Sequence, residues 1–502
     1  MECRYRTSLL PRLAQRALDD MQQTLKRLVR LTAGYSLITL VGPLFTILLT
    51  PLYTHALSPA DYGVVDIALT LAGLVAAIVT VGVDQALGAF FFDGDATHQR
   101  NLVTTGAIFG LVSGILAAVV IAALAVPLAE LLFNNAGYAL LMYVLALGIA
   151  TRPFQSVLGS GLRLKMDVKR VNILGLVTIL ATVVINIWLV LVLGMKATGI
   201  IAGATIIALI AAVLSLFLAR DLLRGSFLRR EFDPLIRAGA GLLPGTLSYM
   251  LLANVDRLLL TQYVPPYEIG LYSIANKLVS MLWVLLSAVW TAWFPLALEI
   301  GNQPDAARQY ARIFELFTAG SLMVALAIGI FSPEILTIFA RDVYVPASSY
   351  ALALMITGPV GLMGLFFQIG LYRTKKTHLV SVAVMIAAVV NILVNLWLNP
   401  TLGVWGAVIG TIVGIAVATG FQLLFSQRAM YIDYRWIRLT ALFIGYLVLM
   451  VGFLLIPAIN TIPIKIGSML LFACLPLAVG IVSPAQIAAA VAAVRQRLSG
   501  AA

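Results

Sequence analysis

The stretch Pro59-Ala60-Asp61-Tyr62-Gly63 is matched 207 residues later by Pro266-Tyr267-Glu268-Ile269-Gly270, which has Pro, an acidic residue and Gly at the same three positions. Other matches keep nearly the same spacing along both halves of the sequence. They join Gly199 to Gly406 and Gly203 to Gly410 at 207 residues, and Gly161 to Gly370, Asn186 to Asn395 and Trp188 to Trp397 at 209 residues. Ordered matches of this kind indicate that the chain contains an internal duplication.

The composition of the chain is that of a membrane protein. Of its 502 residues, 61% are hydrophobic and 11% are charged, and the mean hydropathy is +1.02. A transmembrane helix needs about twenty apolar residues, so a chain of this length has room for more than a dozen. The three His and the two Cys, Cys3 and Cys474, show no metal-ligand or disulfide spacing. We therefore expect no metal site and no cofactor.

Apolar runs separated by charged or Pro/Gly-rich breaks predict about fourteen transmembrane helices. Six fall in the first copy of the repeat, six in the second, and two follow. The predicted spans are residues 33–55, 64–83, 102–126, 138–157, 171–193, 198–219, 240–264, 271–296, 314–339, 350–372, 379–399, 404–426, 437–457 and 464–482. Because six is an even number, both copies enter the membrane in the same direction, which gives parallel repeats about an axis normal to the bilayer.

These features predict an all-α integral membrane protein in which two parallel six-helix repeats form two lobes around a central cavity, followed by two C-terminal helices. Such lobes can expose the cavity to each side of the membrane in turn, as transporters do. The expected parts are a cytoplasmic N-terminal segment (1–32), an N-lobe (33–219), a cytoplasmic linker (220–239), a C-lobe (240–426), two further spans (427–483) and a cytoplasmic tail (484–502).

The distribution of Lys and Arg predicts the orientation of the chain. If the N-terminus is cytoplasmic, 27 of the 33 Lys and Arg residues fall on the cytoplasmic side, and the outer loops hold only Lys196, Arg341 and Lys465. This asymmetry satisfies the positive-inside rule and predicts that both termini are cytoplasmic. It also accounts for the net charge of +12 without a nucleic-acid partner. Residues 1–30 have no apolar core, so we expect no cleavable signal peptide.

The repeated motif also predicts a local structure at its first copy. Ser58 is a favourable N-cap, and Pro59 suits the first helical position. The Asp61 carboxylate can accept a hydrogen bond from a backbone N–H that the first turn of the helix leaves unpaired. We therefore expect a helix to begin here, at the outer end of the second span. We expect the motif to serve folding rather than substrate binding.

Several motifs resemble those of a known family. Residues 50–66 (Thr50-Pro-Leu-Tyr-Thr-His-Ala-Leu-Ser-Pro-Ala-Asp-Tyr-Gly-Val-Val-Asp66) resemble the first hairpin of the polysaccharide transporter family of bacterial flippases, within the multidrug/oligosaccharidyl-lipid/polysaccharide exporter superfamily. Motifs in the second half resemble that family's seventh and eighth helices and its eleventh-to-twelfth turn. These are Leu243-Pro244, Asp256-Arg257, Glu268 to Lys277, Trp293-Phe294-Pro295, and Asn395 to Ala407.

The resemblance covers residues 33 to about 482. It implies a flippase that moves undecaprenyl-diphosphate-linked oligosaccharide repeat units from the inner to the outer leaflet of the bacterial cytoplasmic membrane. The product would enter O-antigen, capsule or exopolysaccharide biosynthesis. The partners that it implies are the lipid-linked oligosaccharide, membrane lipids, and a polysaccharide polymerase and glycosyltransferases.

Three cationic residues fall inside predicted spans, where a charge costs several kcal/mol and usually faces a cavity or a partner. Arg257 and Lys277 are expected at about 10 Å or more below the outer surface. Because a guanidinium and an ammonium suit a diphosphate, we predict that both bind it, and that Arg152 receives it on the cytoplasmic side. In the alternative interpretation, Asp256 neutralises Lys277 and Arg257 extends toward the outer head groups.

Two further carboxylates, Asp66 and Asp84, bracket the second span. They are candidates for an ion pair or for coupling to a cation or a proton. Both lie near predicted helix ends, where helix capping or contact with water is the simpler interpretation.

Other functions stay open at the level of the sequence. A cation-coupled multidrug exporter of the same superfamily shares the duplicated twelve-helix core, but it usually lacks the two C-terminal helices and tends to have acidic residues in its cavity. A peptidoglycan lipid-precursor flippase is related in mechanism. A glycan polymerase or ligase fits poorly, because no predicted outer loop exceeds about a dozen residues. We therefore expect a transporter and not an enzyme.

Overall fold

The computed structural model describes residue 45 and residues 49–300 and 305–481. Within these residues the regular structure is helical, and no β-strand occurs among them. The predicted N-terminal segment 1–32, most of the first predicted span and the tail 484–502 lie outside the described residues.

The first lobe follows a helical segment at residues 49–56, which ends the first predicted span. Its helices are α1 (Pro59–Thr80), α2 (Val83–Phe90), α3 (Ala96–Ala123), α4 (Ala125–Phe133), α5 (Ala139–Leu164), α6 (Val168–Asn186) and α7 (Lys196–Leu218). α1 and α2 together form one membrane-crossing segment, interrupted by left-handed backbone at Val81 and Gly82. α6 continues as a π-helical turn at Ile187–Val192.

The second lobe and the C-terminal pair continue the same pattern. Their helices are α8 (Arg229–Leu260), α9 (Pro266–Ile300), α10 (Ala306–Ile330), α11 (Ser332–Phe339), α12 (Ala347–Leu354), α13 (Thr357–Arg373), α14 (His378–Leu402), α15 (Val404–Ala429), α16 (Trp436–Leu455) and α17 (Ile462–Ala478). Prolines lie inside α5, α8, α14 and α17.

Twelve helical segments of the described chain are long and apolar enough to cross a membrane. α17 is also apolar but has only 17 residues. The prediction of an all-α, multi-pass membrane protein is therefore confirmed. The count of fourteen spans stays a prediction, because the first span lies mostly outside the described residues and α17 is short.

The start of α1 has the predicted capping box. The Asp61 backbone N–H donates to Ser58 Oγ at 3.1 Å, and the Ser58 backbone N–H donates to Asp61 Oδ2 at 3.1 Å. Pro59 occupies the first position of the helix, where its missing N–H costs nothing. The local prediction for this motif is therefore confirmed.

The predicted duplication is visible in the packing inside each lobe. In the first lobe, a β-carbon added to Gly203 would collide with Oδ1 of Asn186. In the second lobe, a β-carbon added to Gly410 would collide with Nδ2 of Asn395. Residues that match in the sequence therefore make the same contact in both lobes.

The two lobes meet where α1 approaches α9 near their first turns. A β-carbon on Gly63 would collide with the Pro266 carbonyl oxygen, and one on Gly270 would collide with the Pro59 carbonyl oxygen. Gly63 matches Gly270 and Pro59 matches Pro266, so the contact is reciprocal, as a two-fold relation between the lobes requires. The missing side chains allow the two backbones to approach closely.

An ion pair attaches the C-terminal pair of helices to the second lobe. The Lys465 side chain is fully buried, and its Nζ donates to both carboxylate oxygens of Glu334 at 2.5 and 2.6 Å. Lys465 lies in the first turns of α17 and not in an outer loop, which corrects the assignment made from the sequence. Glu334 lies in the first turn of α11.

Candidate functional site

A charged contact joins the two lobes one turn below the approach of α1 and α9. Arg257 Nε of α8 lies 2.6 Å from Asp66 Oδ2 of α1. The Ser273 hydroxyl of α9 donates to the same Asp66 oxygen at 2.5 Å. Asp66 and Ser273 are themselves 207 residues apart, so they are matching positions of the duplication. We call Asp66, Arg257 and Ser273 the interlobe cluster.

The Arg257 guanidinium is held on several sides. Its Nη1 donates to the carbonyl oxygen of Ala253 and to Asn254 Oδ1, each at 3.0 Å, and its carbon lies 5.8 Å from the centre of the Tyr272 ring. The side chain is only 10% exposed. In this conformation Arg257 therefore closes the contact between the lobes, and it does not extend toward outer head groups.

Asp256 points to different partners, because adjacent residues on a helix lie about 100° apart. Tyr272 donates its hydroxyl to the Asp256 carboxylate, and Thr411 Oγ1 donates to it at 3.0 Å. These bonds connect α8 with α9 and α15 inside the second lobe. The alternative in which Asp256 neutralises Lys277 is therefore wrong for this conformation, since its carboxylate contacts Tyr272, Thr411 and, at 3.7 Å, Arg257.

Lys277 lies one helical turn beyond Ser273 on α9, so both side chains lie on one face of the helix. It is half-buried. Among the described residues, none forms a hydrogen bond or an ion pair with its ammonium group. Lys277 is thus a cation close to the interlobe cluster with its donors unused.

A cavity of about 490 Å³ lies further along the same helices, toward the Lys- and Arg-rich side of the membrane. It is bounded by α1, α2, α5 and α6 of the first lobe and by α8 of the second. Its polar and charged lining consists of Thr80, Asp84, Gln85, Arg152, Gln155, Ser156, Arg163 and Thr246. We call this space the inner cavity.

The charged groups of the inner cavity differ in how they are held. Ser156 donates its hydroxyl to Asp84 Oδ2 at 2.6 Å, and Arg163 Nη2 donates to Ser160 Oγ at 2.8 Å. The Arg152 side chain lines the cavity and forms no hydrogen bond or ion pair with any residue that the structure describes. The Arg152 guanidinium is therefore available to an anion that enters.

The interlobe cluster lies directly beyond the inner cavity. The cavity-lining residues Gly73 and Met250 are each seven residues along their helices from Asp66 and Arg257, or about 10 Å at 1.5 Å per residue. The cluster thus joins the two lobes on the side of the inner cavity opposite to the basic loops.

The structure divides the predicted site residues into two groups. It brings Arg257, Asp256, Asp66 and Lys277 together near the interlobe contact, and it places Arg152 and Asp84 in the inner cavity. The capping interpretation is wrong for Asp66, which binds partners on two other helices. Asp84 accepts a bond from the adjacent Gln85 N–H in the first turn of α2, but it also faces the cavity.

The sequence analysis did not identify Arg163 as a site residue, because the predicted spans 138–157 and 171–193 leave it in the connection between them. α5 continues to Leu164, so Arg163 lies in the last turn of the helix and lines the inner cavity. The sequence did contain a signal for this longer helix. The run of apolar and small residues continues past the predicted end at residue 157 with Leu158, Gly159 and Gly161.

The loop that follows Arg163 is fixed by ion pairs. Asp221, after α7, accepts hydrogen bonds from Lys165 and Arg170. Burial alone would raise the pKa of the Asp221 carboxyl, but these two donors outweigh it and lower the pKa from 3.8 to about 2. The described residues contain no group of three or more His, Cys, Asp or Glu side chains arranged to hold a metal ion.

Comparison with known proteins gives a family and a fold. Residues 54–318, more than half of the chain, match the sequence profile of the family described as "Polysaccharide biosynthesis protein". No curated protein matches the sequence.

Three solved structures have a similar fold. A multidrug resistance MATE family transporter of the MOP superfamily, in an inward-facing conformation, has a TM-score of 0.57 and 16% identity over 78% of this chain and 97% of its own. The lipid II flippase MurJ, in an inward closed conformation, has a TM-score of 0.66 and 12% identity over 89% and 98%. A MOP superfamily transporter from Pyrococcus furiosus has a TM-score of 0.51 and 14% identity over 82% and 95%.

Proposed function

Because the chain belongs to the family of polysaccharide biosynthesis proteins, we propose that it is a flippase for undecaprenyl-diphosphate-linked oligosaccharide repeat units. It moves them from the inner to the outer leaflet of the bacterial cytoplasmic membrane by alternating access. The repeat units then enter O-antigen, capsule or exopolysaccharide biosynthesis. Both termini lie in the cytoplasm in this proposal.

The observation that carries the proposal is the inner cavity. It offers the guanidinium groups of Arg152 and Arg163 together with hydroxyl and amide groups, at a position between the two lobes. A guanidinium binds a phosphate through two parallel hydrogen bonds, and hydroxyls and amides suit the hydroxyl groups of a sugar. One carboxylate, Asp84, faces these two cations, so the lining favours an anion over a cationic drug.

The two groups of site residues suggest an order of events. The diphosphate first binds Arg152 while the interlobe cluster keeps the opposite side closed. The anion then competes with Asp66 for Arg257, and this competition weakens the contact between the lobes. Lys277, whose donors are unused, receives the diphosphate as the lobes separate on the outer side.

The polar head group and the lipid tail need different surroundings during this movement. Sugar and phosphate groups require a polar space, because an unpaired charge in hydrocarbon costs several kcal/mol. The polyprenyl tail stays in the bilayer. Moving negative charge outward across a membrane that is negative inside is favourable by about 2.3 kcal/mol per charge per 100 mV, so the membrane potential assists the proposed direction.

The proposed partners follow from the substrate. Membrane lipids surround the chain, glycosyltransferases supply the lipid-linked oligosaccharide on the inner side, and a polysaccharide polymerase uses it on the outer side. Coupling to a cation or a proton would involve Asp66 or Asp84, the carboxylates at the interlobe cluster and in the inner cavity.

The proposal is tested by deleting the gene and analysing the lipid extract by mass spectrometry, with parallel assays of surface glycan and drug sensitivity. The proposal expects accumulation of an undecaprenyl-diphosphate oligosaccharide and loss of surface glycan. Normal lipids with increased drug sensitivity would instead indicate a multidrug exporter, and accumulation of the peptidoglycan precursor would indicate that substrate. Restoring wild-type protein from a plasmid is the matched control.

A further inference from the structure

A second cavity, of about 670 Å³, lies between the second lobe and the C-terminal helices. It is bounded by the start of α10, the segment that leads into α16, and the residues after the end of α17. All three elements end on the Lys- and Arg-rich side of the membrane. Its charged lining residues are Arg308, Arg312, Asp433, Arg435 and Arg438. None of these residues lines the inner cavity.

Three of these arginines lie around one buried carboxylate. Glu315 of α10 is only 1% exposed. Arg312 Nη1 lies 3.4 Å from Glu315 Oε2, and Arg435 Nε and Arg438 Nη1 each lie 3.9 Å from a Glu315 oxygen. Residues from two distant parts of the chain thus converge on one acidic group, which distinguishes this site from cations scattered along a membrane surface.

The carboxylates do not neutralise the site. Among the residues that the structure describes, four arginines line the cavity and Glu315 and Asp433 supply two negative charges, which leaves an excess of two positive charges. The 3.9 Å approaches of Arg435 and Arg438 are too long for hydrogen bonds, so Glu315 leaves their N–H donors largely unused. Arg438 directs one Nη1 donor to the Gly480 carbonyl oxygen at 2.9 Å. The Arg308 side chain is exposed and forms no hydrogen bond or ion pair within the described chain.

We propose that this cavity is a binding site for a phosphate group, supplied either by the head group of an anionic phospholipid of the inner leaflet or by a soluble phosphate. Converging guanidinium groups match the geometry of phosphate oxygens. The neighbouring side chains favour the phospholipid, because Trp436 and Ile437 are 42% and 88% exposed beside Arg435 and Arg438. Such apolar groups beside cations are typical of the interface between the head groups and the hydrocarbon. The proposal is independent of the transport function proposed above.

The test uses the full-length protein, purified in detergent, and two double variants. Arg435→Gln/Arg438→Gln removes two cations of the cavity. Arg229→Gln/Arg230→Gln removes two exposed cations from the start of α8, on the same side of the membrane and with the same change in net charge. Native mass spectrometry measures the binding of phosphatidylglycerol and of zwitterionic phosphatidylcholine, and thermal unfolding measures the protection given by inorganic phosphate.

If a phospholipid is the source, the wild type binds phosphatidylglycerol more tightly than phosphatidylcholine. The cavity variant then loses roughly fivefold in affinity for each arginine removed, while the control variant binds as the wild type does. If the source is soluble, inorganic phosphate protects the wild type and the control but not the cavity variant. Equal behaviour of all three proteins in both assays overturns the proposal.

The single variant Arg308→Gln keeps the test valid if the double variant does not fold. The Arg308 side chain is exposed and forms no hydrogen bond or ion pair among the described residues, so its replacement leaves the packing around Glu315 intact. A loss of about fivefold in binding supports the site, and unchanged binding of both ligands contradicts it.

Discussion

Replacing Asp66 with Asn removes the negative charge from the contact that joins the two lobes. When the lobes are in contact at the interlobe cluster, Arg257 is then buried beside a neutral amide. When the lobes separate there, water hydrates the Arg257 guanidinium. The substitution therefore destabilises the closed arrangement and leaves the open one nearly unchanged. The expected result is a shift of the conformational equilibrium toward opening on the outer side.

The size of this shift follows from the burial of the pair. Removing one partner of a buried ion pair costs about 3–5 kcal/mol. The Asp66 side chain is 22% exposed, so water screens part of the interaction and the lower end of that range, about 3 kcal/mol, applies. Since about 1.4 kcal/mol corresponds to a factor of ten, the ratio of open to closed molecules rises about a hundredfold.

Cysteine labelling measures this shift in intact cells. Thr70 lies one turn below Asp66 on the same face of α1 and is 9% exposed. We would introduce Thr70→Cys after replacing Cys3 and Cys474 with Ser, and add a membrane-impermeant maleimide from outside. The Asp66→Asn variant is expected to label up to about a hundredfold faster than its parent.

Asp61→Asn is the matched control for this experiment. Asp61 lies on the same helix and has the same charge, but it caps α1 and does not bridge the lobes. It should leave the labelling of Thr70→Cys unchanged. An unchanged labelling rate with Asp66→Asn, or an equal rise with Asp61→Asn, would refute the role of the interlobe ion pair.

Three further variants test other parts of the structure. Gly63→Ala places a β-carbon against a backbone oxygen of the other lobe, so it should prevent closure and abolish glycan export in a complementation assay, whereas Gly241→Ala, which has open space, should export normally. Arg152→Gln should lower export and cause the lipid-linked oligosaccharide to accumulate, without reducing the amount of protein in the membrane. Glu334→Gln leaves Lys465 buried without its partner, so it should lower the free energy of unfolding in detergent by about 3 kcal/mol. The measurement is the melting temperature, which should fall. An unchanged melting temperature would contradict the importance of this ion pair.

The sequence alone predicted features that depend on neighbours along the chain. The capping box of Ser58 and Asp61 spans four residues, and its geometry follows from local backbone and side-chain preferences. The all-α membrane fold followed from long apolar runs, since only a helix satisfies its own backbone groups in hydrocarbon. The duplication was visible because matching residues kept their order.

Helix ends were harder to predict, because hydropathy measures the part of a helix that lies in hydrocarbon and not the full helix. α5 continues past the predicted end at residue 157 to Leu164, which moves Arg163 from a loop into the inner cavity. α17 begins at Ile462, two residues before the predicted start at 464, so Lys465 lies inside its first turn and not in the outer loop to which it was assigned. Its partner Glu334 is 131 residues away, and no local pattern connects the two.

The partners of the charged residues could not be predicted for a similar reason. Arg257 was predicted to lie about 10 Å below the outer surface. α8 instead ends at Leu260, so Arg257 lies in its last turn, and its partner Asp66 lies on the other lobe. Which carboxylate it meets depends on how the lobes pack against each other. The duplication did contain a hint, because Asp66 and Ser273 are matching positions, and matching positions meet only where a two-fold axis passes between them.

The most direct test of the proposed transport function is a translocation assay with purified protein. Liposomes would contain the lipid-linked oligosaccharide that accumulates in the deletion strain, and a glycan-degrading enzyme added outside would measure the accessible fraction. With wild-type protein, nearly all of the oligosaccharide should become accessible, and with Arg152→Gln it should become accessible more slowly. Without protein, only the fraction already in the outer leaflet should be degraded. Equal degradation with and without wild-type protein would contradict the proposal that this chain moves lipid-linked oligosaccharides across the membrane.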